Sequence, residues 1–370
     1  MNKSKRILGV DIIRVMSMVG VIGLHLINQG GLIYNTNTRL SHLIVLFLLV
    51  ICYVSVNTFA ILSGYLLWEK ENQNYKRLKE LIFTTIFYCI VITLVFYIFN
   101  LYDVRKTPIN LKGFFEFTLT GKNGNVSIIS NVLFSIFPAL ISRYWYLTCY
   151  IFLYIFIPYI NRFILGLSKE EFKSFIIKCF ILLTCTQTIL FNIDFFKISS
   201  GYSPFWLIFC YFVGAYIGKY KKEINITKNK ALVILSASIL LSYFCNASVR
   251  IIYRFLFDTR LNSVRFIEYI SPFTLISAGI IVYLFTNIKT NNRILSKIFH
   301  YLGVTTFSVY IIHSHPLIYD NYFKNLMTWT LRYNILVVVG FFLAYLICIY
   351  LICTLIDLIR ILLINWRRQK

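Results

Sequence analysis

Apolar runs of roughly 20 residues recur along this chain, and each is long enough to cross a bilayer. The first extends from Ile7 to Ile27, the second from His42 to Leu67 and, past a charged loop from Glu69 to Glu80, the third from Leu81 to Asn100. A fourth covers Tyr144 to Ile164, a fifth Phe175 to Asp194 and a sixth Pro204 to Gly218. Spans seven to ten read as Ala231 to Asn246, Phe266 to Thr286, Tyr301 to His315 and Ile335 to Ile364. Irregular backbone cannot face lipid, so the pattern predicts an all-α integral membrane bundle of about ten transmembrane helices. The longest stretch between spans, Leu101 to Ser142, holds one short apolar part, Val126 to Ile141, with Pro138 near its end. That part reads as interfacial or re-entrant. The first run is too long for a secretory signal, carries charged residues and has no small-residue cleavage site after it.

No polar stretch is long enough for a separate soluble domain, so residues 1–370 read as a single transmembrane domain. Composition agrees: 58% of residues are hydrophobic and 14% charged, where a soluble domain has about 25% charged. The formal net charge of +23 would suggest nucleic acid in a soluble protein. Here the basic residues sit in short loops between apolar runs, so anionic lipid headgroups are the expected partners and nucleic acid is not. The nine cysteines lie in or beside apolar runs, form no CxxC and do not alternate with histidine at ligand spacing, which reads as packing rather than a metal site. The chain shows no internal repeat.

Lys and Arg set orientation. With the N-terminus in the cytoplasm, the six cytoplasmic segments hold 21 of the 37 Lys and Arg residues and the five outer loops hold 13. Ten spans then return the C-terminus to the cytoplasm as well.

The first run carries the candidate chemistry. A charge inside a spanning helix costs at least about 2.5 kcal/mol at the centre, so it usually faces protein or water and has a task. Asp11 lies one turn before Arg14 and can pair with it. Arg14 and His25, eleven positions apart, return to nearly one face of the helix with roughly 16 Å between them along the axis. One face thus offers a cation near the cytoplasm and an imidazole farther across. The plainer alternative is a neutral pair snorkelling at the inner headgroups, with His25 at the far interface.

The spacing Arg14-x10-His25, preceded by Leu8-Gly9-Val10-Asp11-Ile12-Ile13, resembles the signature of the acyltransferase 3 family of membrane acyltransferases. Three further stretches resemble the family in order: Val56 to Tyr65 with its Ser63-Gly64 pair, Tyr144-Trp145-Tyr146-Leu147 through Pro158 and Asn161, and Ser308-Val309-Tyr310-Ile311-Ile312-His313. The resemblance covers the whole chain. It departs at Asn57 and Tyr150, where members fused to an extracellular hydrolase-like domain usually carry Asp and Glu, so those carboxylate roles are not carried over. The chain is similar to the stand-alone branch associated with bacterial surface polysaccharides.

The resemblance implies a bacterial cell-membrane O-acyltransferase that moves an acyl group, usually acetyl from cytosolic acetyl-CoA, to a hydroxyl of a surface glycan or its lipid-linked precursor. No metal is implied, and a homo-oligomer is compatible. On this reading His25 is the general base toward the sugar hydroxyl or a covalent acyl carrier. Arg14 holds an oxygen-rich part of the donor, and Asp11 orients Arg14. Ser63 serves close helix packing or as a nucleophile. Tyr65, Tyr310 and His313 are cavity candidates, and Trp145 and Tyr146 stack on a sugar or anchor at the interface. His315 is expected in an outer loop, His42 and His300 at interfaces, and Arg143 against an anionic glycan or a headgroup. The rival class is an exporter of a polysaccharide or lipid-linked glycan, built on the same buried Arg and His.

Overall fold

A computed structural model describes residues 7–36, 38–71, 75–99, 144–190, 194–257, 264–288, 290 and 292–369. The stretch Val126 to Ile141 and Arg143 lie outside the described residues. Those described are all-helical, with no strand among them.

Among the described residues ten helices of 14 residues or more follow one another: α1 (Leu8–Asn28), α2 (Arg39–Leu67), α3 (Lys76–Ile98), α4 (Trp145–Gly166), α5 (Lys169–Ile189), α6 (Pro204–Tyr220), α7 (Lys228–Phe257), α8 (Pro272–Phe285), α9 (Arg293–His313) and α10 (Ile335–Gln369). Eight of them are long and apolar enough to cross a membrane. The other two, α6 and α8, have 17 and 14 residues. By helical rise they are about 26 and 21 Å long, short of the roughly 30 Å hydrocarbon core. The spans expected at Pro204 to Gly218 and Phe266 to Thr286 are therefore helices below full crossing length.

Boundaries shift where polar residues belong to helices. The charged loop expected from Glu69 to Glu80 ends early, because α3 starts at Lys76. Helix α7 runs on to Phe257, eleven residues past the expected end. It carries Arg250 inside the fold, with Nε donating to Asn246 Oδ1 at 3.1 Å and Nη1 2.8 Å from His42 Nε2. Helix α5 contains a π-helical turn, Ile181–Cys185. Its start is a capping box, with Ser168 accepting from Glu171 N and the Glu171 carboxylate accepting from Ser168 N. Pro204 and Pro272 open α6 and α8 at the one position where a missing N–H costs nothing.

Helix α2 is the hub, packed most extensively against α6, α1 and α8, while α1 also lies against α9 and α10. The α2–α6 contact is backbone on backbone. A Cβ on Gly64 would overlap the Tyr211 carbonyl, and one on Gly214 would overlap the Ile61 carbonyl. Apolar burial cannot drive helices together in lipid, so such small-residue contacts supply the packing. Gly214→Val should destabilise the protein by at least about 1–3 kcal/mol, read as a lower unfolding temperature in detergent. An unchanged melting curve would mean that α2 and α6 do not touch here.

Candidate active site

The N-terminal half of α1 positions Arg14. Asp11 is 2% exposed, and its Oδ1 accepts from Arg14 Nη1 at 3.3 Å. Asp11 also packs on Gly303 of α9, where any Cβ would crowd the carboxylate. The carboxylate is thus wedged between two helices, while the Arg14 side chain keeps 25% exposure.

His25 sits at the other end of α1, half-buried. Its ring is 5.1 Å from that of His313, 5.0 Å edge-on from Tyr319 and 6.5 Å from Phe323. Tyr319 and Phe323 belong to an irregular segment between α9 and α10, held at the end of α1 by Asn325 N donating to Gln29 O and Met327 N to Gly30 O. His315, expected in an outer loop, is 3% exposed and caps the turn that starts this segment, its Nδ1 accepting from Leu317 N at 3.3 Å. Burial follows because the segment folds back into the bundle.

The hydrogen bonds of His313 fix two tautomers. Its Nδ1 lies 2.6 Å from Val309 O, an acceptor only, so Nδ1 carries the proton. Neutral His313 then accepts at Nε2, which lies 3.1 Å from His25 Nδ1. His25 Nδ1–H is the donor, and the free lone pair of His25 is on Nε2. Ser314 Oγ is also within 3.3 Å of His313 Nε2.

A single cavity of about 1480 Å³ touches both Arg14 and His25. Ser63, Trp145, Tyr146 and Tyr310 line it too. Ser63 Oγ donates to Phe59 O at 3.0 Å. The Tyr146 hydroxyl is buried with no hydrogen-bond partner among the described residues. His313 is 1% exposed and stands behind His25 rather than in the wall. Tyr65 is not brought to the cavity: Lys221 Nζ donates to its hydroxyl at 2.8 Å, on the far side of α2. Asn57 is structural, donating to Tyr269 O at 2.7 Å and accepting from Trp206 Nε1 at 2.9 Å. An aspartate cannot make both bonds, which accounts for an amide here.

An aromatic wall, which no sequence motif marks, lines the cavity toward His25. Trp145 packs 4.5 Å from Tyr202 and 5.8 Å, nearly parallel, from Tyr269. Tyr53 adds a ring 5.2 Å from Tyr269, and all four rings line the cavity. Tyr202 and Tyr269 stand in turns just before α6 and α8; Tyr269 lies within the expected span Phe266 to Thr286, but the helix starts only at Pro272. Burial pushes the Tyr202 and Tyr269 hydroxyls above the usual phenol range, so both stay protonated donors at neutral pH.

The model of one protein family, described as an acyltransferase domain of the acyltransferase 3 type, matches residues 7–356. No curated protein and no solved structure matches the chain.

Proposed function

This chain belongs to the acyltransferase 3 family, and from that premise we propose that it moves an acetyl group from acetyl-CoA to a hydroxyl of a bacterial surface glycan or its lipid-linked precursor. The observation that carries the reading is a cavity in contact with both Arg14 and His25. Their separation along α1, about 16 Å, is comparable to an extended pantetheine arm. A donor held near Arg14 can therefore present its thioester near His25.

In the proposed reaction, His25 Nε2 takes the proton of the acceptor hydroxyl as that oxygen attacks the thioester carbonyl. The tetrahedral intermediate collapses with cleavage of the carbon–sulfur bond, and His25 returns the proton to the departing thiolate. The products are the acetyl ester and free CoA. The Tyr146 hydroxyl, a buried donor whose isolation is costly, suits an oxygen of a bound ligand. Trp145, Tyr53, Tyr202 and Tyr269 form a face on which a sugar ring can stack. The protein lies in the plasma membrane with ten helices in the bundle, the Arg14 end and both termini facing the cytoplasm.

The test is acetyl transfer from labelled acetyl-CoA in membranes carrying the acceptor glycan. Arg14→Ala should raise the KM for acetyl-CoA about tenfold, the worth of a charged hydrogen bond, with a smaller change in kcat. An unchanged donor dependence would remove Arg14 from donor binding. The continuous cavity also suits an exporter; glycan movement without CoA release would favour that second reading.

A further inference from the structure

The Asp11-x-x-Arg14 device occurs a second time, on α10. Asp357 is 1% exposed, and its Oδ1 accepts from Arg360 Nε at 2.7 Å, three residues on. The same oxygen accepts from the Tyr88 hydroxyl of α3 at 2.6 Å, and the Arg360 guanidinium lies 5.7 Å from the centre of the Tyr88 ring. In both devices the carboxylate is buried out of the cavity and the guanidinium lines it. Helices α1 and α10 touch, and Arg14 and Arg360 line the same cavity. Arg77, from the first turn of α3, lines the same cavity. Asp357 and Arg360 lie just past the residues that the family match covers.

An arginine held this firmly in an apolar helix needs a reason, because the apolar surroundings make it expensive. The aspartate cannot be the whole reason, since a hydrophobic pair would pack as well or better. What the arrangement provides is a planar donor with its orientation fixed by a carboxylate and a ring, aimed at a cavity. That is a preorganised oxyanion site, and guanidinium groups at several points of one cavity suit a ligand bearing several phosphates.

We propose that Arg360, oriented by Asp357 and Tyr88, binds phosphate groups of the acyl donor's nucleotide, with Arg77 and Arg14 at other points along the same ligand. This rests on the reading of an acyl-CoA donor given above. It assigns the nucleotide end to the α3–α10 side of the cavity and leaves the uncharged pantetheine arm to span from Arg14 toward His25. Arg360 and Arg77 are then binding residues, whereas Asp357 and Tyr88 are positioning residues.

The experiment measures binding of CoA and of pantetheine, which lacks every phosphate, to the purified full chain in nanodiscs of neutral phosphatidylcholine. Arg360→Gln should weaken CoA about tenfold or more and leave pantetheine unchanged. Asp357→Asn, which keeps the arginine and loosens it, should weaken CoA by a smaller factor, and Arg360→Lys should restore part of the loss. Equal CoA affinity in Arg360→Gln and wild type would overturn the proposal while leaving the donor reading intact. So would parallel losses for CoA and pantetheine, which would indicate a deformed cavity. A wild-type chain that binds neither CoA nor acetyl-CoA would overturn the donor reading and this site with it. Repeating the titration with phosphatidylglycerol separates the phosphate sources. If Arg360→Gln changes only the response to that anionic lipid, the site is for headgroups and the nucleotide assignment falls.

Discussion

His25→Ala is expected to lower acetyl transfer by a factor of roughly a hundred to ten thousand, the usual worth of a positioned general base. The loss should lie in kcat, with the KM for acetyl-CoA nearly unchanged, because the donor's anionic groups are assigned to arginines of which Arg14 lies some 16 Å away along α1 and Arg77 and Arg360 lie on α3 and α10. The reason for so large an effect is chemical. An alcohol is a weak nucleophile at neutral pH, and the described residues around His25 offer no other neutral nitrogen base: His313 spends its lone pair on His25, and the surrounding rings are protonated phenols or hydrocarbon. Expression and melting temperature of the variant must match wild type, since the ring also packs on Tyr319. Full transfer by a well-folded His25→Ala protein would sink the base assignment. His25→Gln separates the roles further: it can still donate toward His313 yet carries no base, so it should be as inactive as the alanine variant.

How far the sequence reveals this site depends on where each residue lies. Asp11, Arg14 and His25 are legible because charged residues stand out in an apolar helix and helical geometry fixes their common face. Asp357 and Arg360 carry the same signal, an acid–base pair at a spacing of three inside the apolar run Ile335 to Ile364. Tyr202 and Tyr269 carry no such signal. Turns bring them beside Trp145, and only tertiary packing shows that α4 and two distant turns share one wall. Arg250 misleads in the opposite direction. It reads as the start of a loop, yet its side chain turns inward to Asn246 and His42, so the helix continues past it. The short α8 shows the limit of hydropathy, which detects the apolar run from Phe266 but not that the helix starts only at Pro272.

The partnership of His25 and His313 leads to the second large effect. His313→Leu should lower kcat about a hundredfold, because it leaves the His25 Nδ1–H buried without its acceptor. Without that acceptor no described residue fixes the tautomer, and the proton can occupy Nε2, the atom that accepts from the acceptor hydroxyl in the proposed reaction. His313→Gln tests the mechanism directly. A glutamine carbonyl can occupy nearly the place of the His313 Nε2 lone pair and accept from His25, so most of the activity should return. His313→Asn, one methylene shorter, falls short of His25 and should behave like leucine. A purely structural role predicts another order, in which leucine, closest in apolar volume, is tolerated at least as well as glutamine. The donor KM should stay constant across the series, since His313 is 1% exposed and lies behind the wall rather than in it. If leucine and glutamine variants fold equally well and show the same kcat, the hydrogen bond at 3.1 Å is a packing contact and the tautomer of His25 is set elsewhere.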